Sequence, residues 1–162
     1  MFDRLEKSDF KPFQGNQKFK VLGPKFWIDG SPYAGGMAMN EPYLDNEFTR
    51  NKLGLKFVNK GHLTYDDARI FFLVNKFHKE GWQIAAHIQG ERAAKQFLDA
   101  VEQAQQSFPR KDYRHRMEHN ALVTSEQLKR AFHLGVTTSF YICLLYTSPS
   151  PRDLSTSRMP SS

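Results

Sequence analysis

Two runs of mixed apolar and polar residues each close on a histidine: Trp82-Gln83-Ile84-Ala85-Ala86-His87 and Tyr113-Arg114-His115-Arg116-Met117-Glu118-His119. Between them Ala94, Phe97, Leu98 and Val101 recur at i, i+3, i+4 and i+7, the spacing of one helical face. The pattern predicts strand, helix, strand, with a histidine last in each strand. Before it, Ile70, Leu73, Val74 and Phe77 fit the same helical template. Thr64 is the expected cap of that helix, with Asp67 at capping-box distance, and Gly81 its end. The middle helix runs out near Ser107-Phe108-Pro109. Thr124 and Gln127 form a capping box for a third helix carrying Leu128, Ala131 and Phe132, ended by Gly135. Two more strands complete the series. One runs from residue 24 or 25 to 28, with Asp29-Gly30-Ser31 stopping it by turn chemistry. The other covers residues 136–142.

Residues 1–17 read as upstream loop. Residues 31–61, with Pro32, Gly35-Gly36 and Pro42, read as a long loop, a length unusual without function. The order is therefore β, long loop, α, β, α, β, α, β, which argues for parallel strands joined by helical crossovers. A doubly wound sheet and a barrel both satisfy it. No Gly-rich phosphate fingerprint or P-loop follows any strand, so the nucleotide-binding version loses its main support. A complete (β/α)8 TIM barrel takes about 250 residues. Four strands make about half of one, and in such a barrel both histidines sit on the carboxyl-end face, where active sites lie.

Composition changes this picture little. With 14 Phe and two Trp a sizeable core is available. The formal charge of +6 is spread along the chain without a run of five or more basic residues, and the aromatics sit at core-like spacing. A nucleic-acid-binding module, which needs clustered charge and exposed aromatics, ranks last. No stretch of about 18 apolar residues is present, so no membrane span is expected. The N-terminus lacks the apolar core of a signal peptide, which leaves the cytoplasm as the default and the compartment open. The one cysteine, Cys143, excludes a disulfide within the chain.

From Cys143 onward the composition turns Ser/Pro-rich. The bland reading is a disordered tail. The sharper one is that 143–153 and 157–162 resemble the in-frame translation of a sequencing-library adapter around a short index at 154–156. On that expectation residues 143–162 are artefactual, the native sequence is cut in mid-strand near residue 142, and Met1 need not be the true start.

Five positions carry candidate chemistry. His87 and His119 fall on neighbouring parallel strands at the same sheet edge. Neutral imidazole is the commonest metal-ligand type, but two ligands do not make a site, and a hydrogen-bonded structural pair fits the spacing equally. Lys25 precedes the aromatic run Phe26-Trp27-Ile28. It reads either as an edge-exposed lysine or as one modified by carbon dioxide to a carbamate whose oxygens can bridge metals. Tyr33 and Tyr43, in the long loop, either shape a substrate pocket or pack the loop.

Pro24-Lys25-Phe26-Trp27-Ile28-Asp29-Gly30-Ser31, His87-Ile88-Gln89-Gly90-Glu91-Arg92-Ala93 and Arg116-Met117-Glu118-His119 resemble three successive blocks of the metal-dependent amidohydrolases. The likeness is to amidohydrolase family 3, the group of the N-substituted formamide deformylases; Gly135-Val136-Thr137-Thr138-Ser139 resembles the strand after them. The resemblance implies about strands 4 to 7 of an incomplete (β/α)8 barrel, within residues 18–142. It makes Lys25, free or carboxylated, the strand-four metal ligand, His87 the strand-five ligand and His119 the strand-six ligand, for one or two divalent ions, expected to be Zn²⁺. Glu91 stands where the family usually has Asp and is a helix-start carboxylate. Glu118 is expected on the side of its strand opposite His119, paired with an arginine. The strand-one His-x-His pair and the strand-eight aspartate, the family's general base, have no counterpart here, so no catalytic residue is assigned.

The implied activity is hydrolysis of a non-peptide carbon–nitrogen bond in a small amide-like substrate by a metal-activated water, with this chain alone inactive. The alternative is a catalytically inactive barrel with a binding or regulatory role. His62, His78 and His133 read as surface or second-layer residues, and His115 as a packed barrel histidine.

Overall fold

The computed structural model describes residues 9–56 and 58–141. The tail at 143–162, the last residue of the fourth expected strand and the first eight of the expected upstream loop lie outside them. Residues 13–21 form a tight antiparallel turn, with Phe13 N–H donating to the Val21 carbonyl at 2.9 Å and a bridge between Gly15 and Lys20.

Four strands, β1 (Lys25–Trp27), β2 (Ala85–Ile88), β3 (Arg116–His119) and β4 (Thr137–Phe140), lie side by side in chain order, every neighbour parallel. Three helices cross between them: α1 (Asp67–Lys79), α2 (Glu91–Ser107) and α3 (Ser125–Leu134). The alternation read from the sequence is thus the fold.

The strands are shorter than expected. The Trp82 N–H still donates to the Phe77 carbonyl, so residues 82–84 complete the exit from α1 before β2 begins. Consequently His87 is next to last in β2, with Ile88 last. The Ile84 N–H is taken by the His115 ring, so the β3 ladder starts at Arg116. Helix α1 is capped by Asp66, whose carboxylate accepts from the Arg69 N–H at 2.7 Å. Thr64 is not its cap: it extends β1's neighbourhood, its N–H donating to the Ile28 carbonyl beside the Asp29–Leu63 bridge. The Thr124–Gln127 capping box and the left-handed Gly135 at φ 71° bound α3 as expected. The long loop contains two short turns, a 3₁₀ turn at Pro32–Ala34 and a π turn at Phe48–Lys52.

One sheet face is apolar and covered. Phe26, Ala86, Ile88 and Met117 are fully buried with Ile70, Val74 and Phe77 of α1 and Phe97, Leu98 and Val101 of α2. Each large side chain so buried contributes about 1.5–3 kcal/mol by removal from water. The opposite face is less covered among the described residues, so burial alternates along β1 and β2 in place of the continuous apolar run of a doubly covered parallel strand. That second face carries the polar chemistry.

Candidate metal centre

Strand register sorts the inner face into two rows. Trp27, His87, Glu118 and Ser139 align across the four strands, and Lys25, Ala85, Arg116 and Thr137 align one step toward the amino ends. The His87 imidazole stacks on the Trp27 indole, with ring centroids 5.3 Å apart and planes at 21°. Its ring also hydrogen-bonds the Gly30 backbone. Nε2 is buried without a hydrogen-bond partner; the nearest anion, Asp29 Oδ1, lies 3.9 Å away, beyond hydrogen-bond reach.

His119 reaches the same place by a different route. Its register partner is Ile88, on the helix-covered face. Strict alternation would send the ring there. Instead His119 and Asn120 both adopt left-handed backbone, φ 81° and 55°, which swings the side chain back. The ring ends 4.6 Å from that of His87 in an edge-to-face contact, and 6.2 Å from Tyr141 on its other side. The Asn120 amide holds this turn, donating to the Met117 and Ser139 carbonyls, both at 2.9 Å. The expectation for Glu118 is corrected in part: it does pair with an arginine, Arg116, at 2.9 Å. However, register places it in His87's own row, and the left-handed turn at 119–120 brings the His119 ring to that same side, so the expected opposition between the two side chains is lost.

The electrostatics favour neutral imidazoles. Burial depresses the His87 pKa, the Gly30 backbone contact opposes this, and the Lys25 ammonium lowers it further. Burial likewise depresses His119, helped by His87 and Lys25 and opposed by Glu118 and Asp29. Neutral imidazole is the form that binds metal. Two neutral rings in contact, one presenting a buried unpartnered nitrogen, fit a divalent cation. Among the described residues no three His, Cys, Asp or Glu side chains converge, so these two need a further donor. Lys25 is exposed at the start of β1 and close enough to act on both rings. As an ammonium it repels a cation; as a carbamate it reverses its charge and offers two oxygens.

Asp29 is the residue that sequence reading missed, having taken it only as a turn former. It is 1% exposed and its carboxylate accepts three backbone N–H groups, from Ala38 (3.0 Å), Gln89 (3.0 Å) and Gly90 (2.8 Å). Burial nonetheless leaves its pKa raised. An aspartate directly after a strand on the carboxyl-end edge was the available signal.

Of the loop tyrosines, Tyr43 is half-buried and its hydroxyl accepts from the Met37 N–H at 3.1 Å, packing the loop. Tyr33 is 57% exposed. His62 and His133 are exposed as expected. His78 corrects the expectation for it: it is fully buried and bonded to His115, also fully buried, at 2.9 Å. It faces inward because it falls in the last turn of α1, one residue after buried Phe77.

The chain is a run of parallel strands joined by helical crossovers, with two histidines in contact at the carboxyl edge of the sheet. The chain belongs to the amidohydrolase family, whose sequence model matches residues 1–158. No curated protein matches it significantly. Among solved structures it is similar to an uncharacterized metal-dependent hydrolase from Pyrococcus furiosus, with 28% identity and a TM-score of 0.69 over 90% of this chain and 27% of that one. It is also similar to an uncharacterized metal-dependent hydrolase from Pyrococcus horikoshii OT3, with 28% identity and a TM-score of 0.67 over 88% and 26%. The chain thus spans about a quarter of the length of each, and its four strands with three crossover helices are a section of the family's TIM barrel. No helix among the described residues is long and apolar enough to cross a membrane.

Proposed function

We propose that this chain carries part of the metal site of a hydrolase acting on non-peptide carbon–nitrogen bonds. The observation that carries the reading is the buried, unpartnered Nε2 of His87 in contact with His119. Family membership and the metal-dependent hydrolases it resembles support it. His87, His119 and Lys25 in its carbamate form would hold one or two divalent ions, with zinc the favoured metal. Such an ion supplies a Lewis acid that activates water and polarises an amide-like carbonyl near neutral pH. The chain's own residues prepare the place: the Gly30 backbone and the Trp27 face fix the His87 ring, and burial lowers the pKa of both imidazoles. Tyr33 and Tyr43 belong to the loop that would wall a small-molecule substrate.

The resemblance assigns the general base to a strand-eight aspartate, which has no counterpart here, so the 162-residue chain by itself is expected to bind metal and not to turn over. The second reading, a barrel that binds without chemistry, draws on the lack of a three-residue ligand cluster among the described residues.

The deciding experiment is zinc stoichiometry by atomic emission on the dialysed chain and on a His87→Ala/His119→Ala double variant. Bound zinc in the first and none in the second supports the metal site; equal stoichiometry in both removes it. Mass spectrometry under carbon dioxide, reading a labile addition at Lys25, tests the carbamate.

A further inference from the structure

We infer that Asp29 is a positioning residue: it ties the long loop to the turn between β2 and α2, and so holds His87 in its metal-binding pose. The inference rests on the metal-site reading above and adds a residue to it.

The ties are specific. The N-cap of helix α2 is Gly90, which has no side chain to cap the helix. Asp29, from the loop after β1, supplies the missing acceptor: Oδ2 takes the Gly90 N–H and Oδ1 takes the Gln89 N–H. A carboxylate at a helix N-terminus is the favourable charge for that place. Gln89 is two residues beyond His87, so the carboxylate fixes the chain where the ligand side chain is launched. On the loop side, Oδ2 also takes the Ala38 N–H, while the Ala38 carbonyl accepts from the Arg92 N–H at 3.1 Å. The Ala38 peptide is therefore gripped at both ends, and Met37 and Met39 beside it are buried. This part of the loop is a fixed wall.

The approach is close: a Cβ on Gly90 would stand 2.0 Å from the Ala38 carbonyl oxygen. Asp29 Oδ1 is 3.9 Å from the unpartnered His87 Nε2, near enough to place negative charge beside it and too far to occupy it. Loss of the carboxylate strands three N–H groups at once and frees both segments that border the ring.

The test measures zinc affinity of the full chain by competition with a chromophoric chelator. Asp29→Asn keeps the size but turns an NH₂ toward N–H donors; affinity should fall about 10–100-fold, the usual effect of removing an outer-shell partner. Gly90→Ala leaves Asp29 intact and pushes Ala38 away; it should weaken zinc in the same direction, and it decides the matter if Asp29→Asn does not fold. Gln96→Ala removes a different buried tie, from α2 to the Tyr65 carbonyl and Asp67, and should leave zinc affinity within twofold of the parent. Unchanged affinity in Asp29→Asn, or in Gly90→Ala where that variant decides, overturns the positioning role alone. An equal loss in Gln96→Ala also overturns it, since general loosening then suffices. Zinc binding that His87→Ala fails to alter overturns the metal-site reading, and the role of Asp29 with it.

Discussion

The molecule holds two histidine pairs of similar outward form, and they serve opposite ends. His87 and His119 meet at the carboxyl ends of β2 and β3 with rings 4.6 Å apart. His78 and His115 meet before the amino end of β3 with rings 5.1 Å apart. The difference lies in how their nitrogens are used. Ile84 N–H can only donate, so His115 Nδ1 accepts it, at 3.0 Å. The His115 proton must then sit on Nε2, which donates to His78 Nδ1 at 2.9 Å. His78 in turn donates from Nε2 to the Phe108 carbonyl at 2.9 Å. All four nitrogens of the lower pair are spoken for, whereas the upper pair leaves the buried Nε2 of His87 without a partner. Residue type and adjacency do not separate a structural histidine pair from a binding one; hydrogen-bond satisfaction does.

The hardest test of this contrast is His115→Ala. It strands the Ile84 N–H, removes the donor to His78 and leaves a cavity at a fully buried site. The expected loss is about 3–5 kcal/mol in denaturant unfolding. Zinc affinity of the folded fraction should be unchanged. A loss below about 1 kcal/mol would mean that the lower pair is not structural.

The mirror experiment is His87→Ala. Its unpartnered Nε2 contributes no hydrogen bond, so the cost to the metal-free chain should be only about 2 kcal/mol, from the lost Gly30 contact and the lost stacking on Trp27. Zinc affinity should fall more than about 100-fold, since one of two imidazole ligands is gone. A variant that keeps zinc and loses several kcal/mol would invert the assignment of the pairs.

The same contrast explains what could be read in advance. Alternating period-3.6 and strand-like runs gave the β/α order directly, because Ile70, Leu73, Val74 and Phe77, and then Ala94, Phe97, Leu98 and Val101, face one core. His87 and His119 were legible as a juxtaposition at one sheet edge. Their convergence on one face was not, since it depends on left-handed backbone at His119 and Asn120, which no periodicity encodes. Asp29 was hidden for a related reason: its partners Ala38, Gln89 and Gly90 are backbone groups and leave no mark in residue types. His78 looked like a helix-surface histidine until His115 supplied its partner from 37 residues away.

Acid should distinguish the pairs less sharply, but in a defined direction. Burial, with His78 and Arg110 nearby, lowers the His115 pKa to about 3 in the folded chain, against about 6.5 when unfolded. Between those values the unfolded state binds the extra proton. Stability is therefore complete above pH 6.5 and declines as pH falls toward 3, at up to about 1.4 kcal/mol per pH unit for one proton. His78, His87 and His119 are depressed in the same direction and add to the slope. Denaturant midpoints from pH 7.5 to 4.5 should fall for the parent, and less steeply for His115→Phe. Adding zinc should steepen the parent's fall, because protons then compete with metal at the upper pair. A flat profile would show that the lower pair titrates freely, and hence that it is not sealed.

The finest distinction concerns the backbone. His78 and His115 themselves have ordinary backbone, with a left-handed Arg114 (φ 50°) beside His115, while in the upper pair a ligand residue, His119, is itself left-handed together with Asn120. Asn120→Gly and Asn120→Ala both remove the amide's bonds to the Met117 and Ser139 carbonyls, each worth about 1 kcal/mol. Only alanine also resists φ 55°, at a further cost of about 1 kcal/mol. Alanine can relieve that cost by relaxing residues 119 and 120 toward extended backbone, and this returns the His119 ring to the side of Ile88, away from His87. Asn120→Ala should therefore be about 1 kcal/mol less stable than Asn120→Gly and bind zinc more weakly, although both lack the same side-chain hydrogen bonds. Equal zinc affinities would show that the amide clamp alone holds His119, and that the left-handed turn is its consequence.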